Sequence, residues 1–169
     1  MQEHYGIITF KGAPLTLIGP QLKVGENAPN FKVLNNQLQE VTFDAFRGKV
    51  CLISAAPSLD TPVCADQTRR FNKELQKFPS VEILTITADL PFAQGRFCGA
   101  EGLKIKTLSD HREMSFGNAY GTHIKELRLE ARAIFIIDSN NKIKYIEIVK
   151  EVTNHPDYEK ALSVLANNL

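Results

Sequence analysis

A buried strand that leads directly into a helix is the feature of this sequence that most constrains its fold. Segment 49–56, KVCLISAA, is apolar and has the length of a buried strand. Segment 57–63 carries two prolines and predicts a loop, and an amphipathic pattern then predicts a helix over 64–77 that stops before Pro79. Cys64 is therefore expected in the first turn of a helix, at a strand–loop–helix junction.

The position of Cys64 favours chemistry at its sulfur. Backbone N–H groups in the first turn of a helix lack partners within the helix, and the helix dipole favours an anion there. A thiol in that place loses its proton more readily, and the thiolate is the nucleophilic form of cysteine. The alternative is a small apolar filler, since free cysteines are commonly buried and inert.

The remaining periodic segments predict an α/β fold. Strands at 7–10 and 15–18 predict an N-terminal β-hairpin. Further strands are predicted at 31–34, 41–43, 81–87, 104–109, 131–138 and 143–148, and short helices or helical turns at 44–48, 91–98, 113–120 and 157–166. This order, with a cysteine at the first strand–helix junction, indicates a thioredoxin-like fold: a central mixed sheet flanked by helices. A chain of 169 residues suits a single domain over 1–169.

The composition excludes several functional classes. The chain is 43% hydrophobic and 23% charged, as in ordinary globular proteins. A formal net charge of +1 gives no indication of a nucleic-acid or membrane partner, and no apolar run approaches the roughly 20 residues that span a bilayer. Residues 1–5 contain no basic leader, so we expect a cytoplasmic protein.

The number and spacing of the cysteines favour redox chemistry over a structural framework. Cys51, Cys64 and Cys98 are an odd set in a chain without a visible export signal, which argues against structural disulfides. The set permits one redox pair and one bystander, and Cys51, inside the predicted central strand, is expected to be a core residue. The histidines lie far apart, and none stands at a usual ligand spacing from a cysteine, so we expect no metal site.

The spacing Pro57-x-x-x-Thr61-x-x-Cys64 resembles the active-site motif of the peroxiredoxins. Two longer runs, 57–72 and 88–103, resemble the thiol peroxidase subfamily, and the likeness extends over nearly the whole chain. The resemblance implies a thioredoxin-like fold and a cofactor-free enzyme that reduces hydrogen peroxide and organic hydroperoxides through Cys64. It also implies thioredoxin as the reductant and a homodimer.

Two residues of the loop before Cys64 are candidates for the site. The Thr61 hydroxyl could cap the helix, and it could also hold the thiolate and a peroxide oxygen, because a hydroxyl both donates and accepts; the two roles are compatible. Pro57 has no reactive group, but it could screen the thiolate from water, and Pro62 could stiffen the loop. Both prolines could equally be plain turn residues.

Arg132 interrupts an otherwise apolar predicted strand. It could be a strand-end arginine that reaches solvent. Alternatively its guanidinium stabilises the thiolate and donates to the departing oxygen. The resemblance implies the second role, since thiol peroxidases have an arginine in this strand. Arg69 and Arg70 compete for that role, but we expect them on a solvated helix face.

Cys98 lies on a short predicted helix that contains Gly95 and is followed by Gly99. Glycine in a helix costs roughly 1 kcal/mol relative to alanine, so this segment is expected to be locally weak. Such a segment would suit a cysteine that must leave its packing, and the alternative is a core cysteine beside Phe97. The resemblance implies that Cys98 is the resolving cysteine, which forms a disulfide with Cys64 within one chain.

Two other functions fit a reactive cysteine in this fold. A thiol–disulfide exchange protein typically carries Cys-x-x-Cys at the helix start, whereas Asp60 and Thr61 precede Cys64 without a second cysteine. A redox-sensing module, in which a disulfide alters a partner surface, would depend on the weak segment around Cys98.

The rim of the site is the part in which we expect departures from the family. Phe92 and Phe97 are candidates for contact with the tail of an organic hydroperoxide, although phenylalanines are more often core residues. Segment 121–130, directly before the Arg132 strand, is more charged than we expect for the family.

Overall fold

The computed structural model describes residues 1–74 and 76–169, in which a four-stranded and a seven-stranded sheet form together with four α-helices. The strands are β1 (Glu3–Phe10), β2 (Ala13–Ile18), β3 (Lys32–Leu34), β4 (Glu40–Thr42), β5 (Cys51–Ala55), β6 (Glu82–Thr87), β7 (Lys106–Ser109), β8 (His123–Ile124), β9 (Leu129–Glu130), β10 (Ala133–Ile137) and β11 (Ile143–Ile148). The helices are α1 (Pro62–Glu74), α2 (Pro91–Glu101), α3 (Ser115–Tyr120) and α4 (Tyr158–Ala166).

The larger sheet is mixed. Its order is β11-β10-β5-β6-β7-β3-β4, with β5, β6 and β7 parallel and the other neighbours antiparallel. Parallel strands need crossover connections, and α1 and α2 provide them. The predicted mixed sheet with flanking helices is therefore confirmed.

Alternate residues of β5 face opposite sides of the large sheet, as the pleat of a strand requires. Cys51 and Ile53 belong to an apolar cluster with Phe116 of α3. Leu52 belongs to a second cluster with Phe71 of α1, and this cluster also includes residues of α4. The thiols of Cys51 and Cys64 are thus carried on opposite sides of the sheet, since Cys64 lies on α1.

The predicted N-terminal hairpin is confirmed, with longer strands and a tighter turn than the sequence predicts. Lys11 and Gly12 form the turn between β1 and β2, with φ values of 50° and 83°. Two consecutive positive φ values are typical of the turn that matches the twist of a hairpin. Glu151 fastens the hairpin to the rest of the chain, because its carboxylate accepts hydrogen bonds from the Gly12 amide at 2.8 Å and the Thr9 hydroxyl at 2.9 Å.

The boundaries of two helices differ from prediction. Helix α1 begins at Pro62 rather than at residue 64, because proline suits the first helical position, where an amide hydrogen would have no partner. The last predicted residues of this helix, 75–77, include Leu75, which lies outside the described residues. Helix α2 continues through Gly99 to Glu101, and it ends at Gly102, whose φ of 66° is left-handed.

Strands β8 and β9 have no counterpart in the prediction, and they join the hairpin in the smaller sheet, whose order is β1-β2-β8-β9. Arg132 lies between β9 and β10 instead of inside the predicted strand 131–138. Within the described residues, no helix is long and apolar enough to cross a membrane.

Candidate active site

The structure brings Cys64 and Arg132 together, although they lie 68 positions apart in the chain. Cys64 is the third residue of α1 and is fully buried. Arg132 is 2% exposed, and its Nη2 donates to Cys64 Sγ at 3.4 Å. A guanidinium carries a fixed positive charge, so this contact places a permanent cation against the sulfur.

The other nitrogens of Arg132 are also bound. Its Nε donates to the carbonyl of Val152 at 2.9 Å, and its Nη1 donates to Gln67 Oε1 at 2.9 Å. The Gln67 amide in turn donates to Ser54 Oγ at 2.7 Å. Sequence reasoning missed Gln67, but its position three residues after Cys64 was an available signal, because such residues share one face of a helix.

Thr61 lies at the N-terminal boundary of α1, but its side chain does not make the predicted cap. Its backbone carbonyl accepts from the Ala65 amide at 3.0 Å, which is the first helical hydrogen bond. Its hydroxyl donates to the Ser58 carbonyl at 2.8 Å. Since that proton is engaged, the oxygen presents its lone pairs as acceptors. The side chain is exposed, whereas Pro57 is buried.

Asp89 holds the loop that carries Thr61, and sequence reasoning missed this contact as well. The carboxylate accepts from Ser58 Oγ at 2.6 Å and from the Leu59 amide at 2.8 Å. It also accepts from Thr87 Oγ1 at 2.8 Å, at the end of β6. The loop follows β5, and the carboxyl ends of the parallel strands β5 and β6 meet at one edge of the sheet, so this anchor could have been anticipated from topology.

An apolar cavity of about 460 Å³ lies beside the candidate site, and Pro57, Thr61 and Arg132 are part of its lining. Its apolar walls include residues from four separate parts of the chain: Phe10, Pro62, Val63, Leu127, Leu129 and Val152. The sequence predicts that Phe92 and Phe97 contact the tail of the substrate, but neither residue lines this cavity. Phe92 is 69% exposed, and the ring of Phe97 lies under the guanidinium of Arg69 at 5.8 Å.

Cys98 is a free, half-buried thiol in the last turn of α2. Its Sγ donates to Thr107 Oγ1 of β7 at 3.6 Å, and burial raises the pKa of the thiol above its ordinary value. Strand β6 separates β7 from β5, and two strand spacings amount to about 10 Å. The structure therefore places Cys98 of α2 against β7, whereas the network of Arg132 and Gln67 reaches Ser54 of β5, which leaves the two cysteines apart.

Cys51 is a buried core residue, as predicted. It is fully inaccessible and belongs to the cluster on the α3 side of the sheet. Burial, followed by the charge of Glu82, raises the pKa of the Cys51 thiol to about 12. At neutral pH this thiol is therefore protonated and shielded from solvent.

Arg69 and Arg70 lie away from the sulfur, as expected, but both are paired rather than merely solvated. The Arg69 guanidinium donates to both oxygens of Glu101 at the end of α2, each at 2.8 Å. Arg70 instead donates to Glu159 of α4 at 3.0 Å. Adjacent arginines on α1 thus tie that helix to two different helices.

A mixed sheet that carries a cysteine at the start of its first long helix defines a class of thiol-dependent redox proteins, and residues 23–162 match the Redoxin family. The chain is 58% identical to a thiol peroxidase of Bacillus subtilis over 156 residues, which cover 92% of this chain and 93% of that protein. It is 59% identical to a thiol peroxidase of Halalkalibacterium halodurans over 156 residues, or 92% of this chain and 94% of that one.

A solved structure of a similar protein has the same fold as this chain. A peroxiredoxin-like protein from Aquifex aeolicus superposes with a TM-score of 0.90 at 36% identity, and the match covers 98% of this chain and 99% of that chain. The thioredoxin-like fold predicted from the sequence is therefore confirmed. This chain belongs to the thiol peroxidases of the peroxiredoxin family, and it is an oxidoreductase with thiol-dependent peroxidase activity.

Proposed function

We propose that Cys64 is the thiolate that attacks the hydroperoxide and that Thr61, Arg132 and Pro57 serve this step. The observation that carries the proposal is the contact of Arg132 Nη2 with Cys64 Sγ at 3.4 Å. The positive charge and the helix start both favour the anion on sulfur. Pro57, buried in the wall of the cavity, limits the access of water to the thiolate.

In the first step, the Cys64 thiolate attacks the outer oxygen of the hydroperoxide. The S–O bond forms as the O–O bond breaks, so the cysteine becomes a sulfenic acid, and the alkoxide or hydroxide that leaves takes up a proton to become an alcohol or water. The Thr61 oxygen accepts from the hydroperoxide O–H, because its own proton is on the Ser58 carbonyl. Arg132 stabilises the negative charge that grows on the oxygens.

The substrate is hydrogen peroxide or an organic hydroperoxide whose apolar tail occupies the cavity. The volume of the cavity, about 460 Å³, and its apolar walls favour an uncharged tail. Thr61 and Arg132 are the polar groups of this lining that face the reacting oxygens.

In the second step, Cys98 attacks the sulfenic acid, which releases water and leaves a Cys64–Cys98 disulfide within one chain. A disulfide requires Cα atoms within about 7 Å, so α2 must open before the bridge forms. Support comes from the free thiol of Cys98 and its place in the last turn of that helix.

We further propose that thioredoxin, a dithiol reductant, reduces this disulfide by thiol–disulfide exchange. That cycle needs a compartment that keeps thioredoxin reduced, which supports a cytoplasmic location. The family resemblance supports a homodimer of chains in which residues 1–169 form a single domain.

The test is thioredoxin-dependent turnover of hydrogen peroxide and of an alkyl hydroperoxide by the wild-type protein, Cys64→Ser and Cys98→Ser, with Cys51→Ser as a matched control. We expect no turnover for Cys64→Ser, and for Cys98→Ser one equivalent of peroxide consumed without a disulfide. Cys51→Ser should turn over like the wild type. Turnover by Cys64→Ser would refute the proposal, and reduction of insulin by the wild type would favour a thiol–disulfide exchange protein.

A further inference from the structure

Two buried carboxyl groups, those of Asp110 and Glu130, meet beside Gly117 of α3. The Gly117 amide donates to Asp110 Oδ2 at 2.9 Å. A Cβ atom on Gly117 would lie 2.8 Å from Glu130 Oε1, so the second carboxyl packs directly on the same residue. Asp110 is 2% exposed and Glu130 is fully buried. Two negative charges in such a place would repel each other without water to screen them.

The hydrogen bonds indicate which carboxyl is ionised. Burial raises the pKa of Asp110, but its carboxylate accepts from two backbone amides, those of Phe116 at 3.1 Å and Gly117 at 2.9 Å, which favour its anionic form. Glu130 accepts only from the Thr122 hydroxyl, at 2.6 Å through Oε2, and its Oε1 receives no hydrogen bond from the described residues. A proton on Oε1 would supply the missing bond by donation to Asp110. Burial and the neighbouring Asp110 raise the pKa of Glu130 well above its ordinary value.

Glu130 is joined to Arg132 through a short, tightly held segment. Thr122 binds this segment twice: its hydroxyl donates to Glu130, and its carbonyl accepts from the Ala131 amide at 2.7 Å. The Arg132 carbonyl accepts from the amide of Val149, the residue that follows β11, at 2.9 Å. Displacement of the Glu130 side chain toward water would therefore move the backbone that carries the guanidinium.

We propose that Glu130 is a positioning residue for Arg132, and that a single proton shared by Glu130 and Asp110 keeps the guanidinium in contact with Cys64. The proposal rests on the proposed function of Cys64. Loss of the shared proton leaves two buried carboxylates side by side, the β9 segment shifts, and the reaction of Cys64 with peroxide slows. The reactivity of Cys64 toward peroxide therefore decreases as the pH rises.

The other titratable and charged groups around the pair act differently. His123 of β8 lies against Gly117, and burial lowers the pKa of its ring below the ordinary value, so it titrates on the acid side. Arg128, on the turn between β8 and β9, disfavours the charged form of His123. Near the start of α3, Lys32 and Glu113 pair with each other at the surface at 3.5 Å. These groups do not supply the shared proton.

The test compares the pH dependence of Cys64 oxidation in the wild type and in Glu130→Gln, both in a Cys98→Ser background. Glutamine keeps both hydrogen bonds, since its amide donates to Asp110 and its oxygen accepts from Thr122, but it has no proton to lose. The second-order rate constant is measured by competition for peroxide with a haem peroxidase, from pH 6 upward. The matched control is Glu113→Gln, an exposed carboxyl near the same helix.

We expect the rate constant of the wild type and of Glu113→Gln to fall on the order of tenfold or more as the pH rises, because a displacement of about 1 Å at a reacting site can cost on the order of a hundredfold. Glu130→Gln should show no such fall. Superimposable profiles in a reactive protein would overturn this proposal alone. Absence of any reaction of the wild type would overturn the proposed function and this inference with it.

A second measurement decides the question if Glu130→Gln fails to fold. Carbon-13 NMR of the glutamate carboxyls in the wild type follows Glu130 directly. A resonance that stays protonated well above the ordinary range of glutamate supports the shared proton. A Glu130 carboxyl that is already ionised near pH 5 refutes it.

Discussion

At the scale of the residue, Arg132 is fixed by the use of all three of its nitrogens. Nε binds the Val152 carbonyl, Nη1 binds Gln67 and Nη2 binds Cys64. The planar guanidinium makes three bonds in three directions, which an ammonium on a flexible stem cannot reproduce from the same place. The contact with sulfur therefore depends on the shape of the group as well as on its charge.

Arg132→Lys should lower the rate constant of Cys64 oxidation on the order of a hundredfold, because one donor to the developing charge is lost. Lysine keeps the positive charge, but it lacks the planar fork that binds Val152, Gln67 and the sulfur together. Peroxide competition gives the rate. An unchanged rate would return Arg132 to a structural role.

Gln67→Ala should lower both the stability and the rate. Removal of the amide leaves Arg132 Nη1 and the Ser54 hydroxyl without their buried partner, which costs about 1–3 kcal/mol. Urea unfolding measures the stability, and peroxide competition measures the rate. A stable variant with a wild-type rate would show that the Val152 carbonyl alone suffices to hold the guanidinium.

At the scale of the element, α2 is held unevenly along its length. The side chain of Gln94, fully buried, donates to Thr87 Oγ1 and to the Leu108 carbonyl, both at 2.9 Å. The last turn, which carries Cys98, is held at the surface by the ion pair of Glu101 with Arg69. The helix is therefore expected to open from its C-terminal end, with Gln94 as the last anchor to hold.

Oxidation by one equivalent of peroxide should make the amides of residues 96–101 exchange faster with solvent, because a Cys64–Cys98 bridge cannot form while the last turns of α2 are intact. Hydrogen exchange read out by mass spectrometry would show this directly. Unchanged protection in a protein that has lost two free thiols would mean that the bridge forms without opening the helix.

Arg69→Ala should favour the open form of α2 in the reduced protein. Exchange at 96–101 and the rate of disulfide formation should both increase, at most a few-fold, because the ion pair is exposed. Arg70→Ala is the matched control, since Arg70 pairs with Glu159 of α4 and should leave α2 unchanged. Equal effects of the two substitutions on exchange at 96–101 would show that the ion pair of Arg69 with Glu101 does not specifically hold the last turn of α2.

The sequence predicts the long elements because each carries a periodic or continuous apolar signal. It misses β8 and β9, which have two residues each and are too short to show a period. It ends α2 at Gly99, but that glycine is helical, and the left-handed position is Gly102. Of the candidate site, Cys64, Thr61 and Arg132 are predicted, whereas Gln67 and Asp89 are not. Neither belongs to a recognisable motif, and their roles follow from the helix face that Gln67 shares with Cys64 and from the sheet edge at which Asp89 lies.

At the scale of the whole molecule, the site joins parts of the chain that lie far apart. Cys64 and Gln67 come from α1, Arg132 from the segment before β10, and the Val152 carbonyl from the chain after β11. The smaller sheet contributes Phe10 and Leu129 to the cavity. Glu130 of β9 lies next to Leu129, and we expect its ionisation to change the stability of the whole fold.

The stability of the wild type should fall relative to Glu130→Gln as the pH rises above about 5. The raised pKa of Glu130 means that the folded protein keeps a proton that the unfolded chain releases, so folding takes up a proton in this window. The loss is at most about 1.4 kcal/mol per pH unit, and it ends at the pKa of the folded state. Urea unfolding at several pH values measures it, and parallel curves for the two proteins would show that the pair is not protonated.

The hairpin of β1 and β2 has a consequence for how such a protein can change. It supplies Phe10 and Lys11 to the cavity, whereas the hydrogen bonds of Arg132 to Cys64, Gln67 and Val152 come from other parts of the chain. The hairpin is held in place by the pairing of β2 with β8, by its buried apolar side chains and by Glu151. A replacement of Phe10 by a smaller or larger side chain would resize the entrance and leave the reacting group untouched. The width of the entrance at Phe10 and the group that reacts thus depend on different stretches of chain, so evolution or an engineer could alter the first and keep the second.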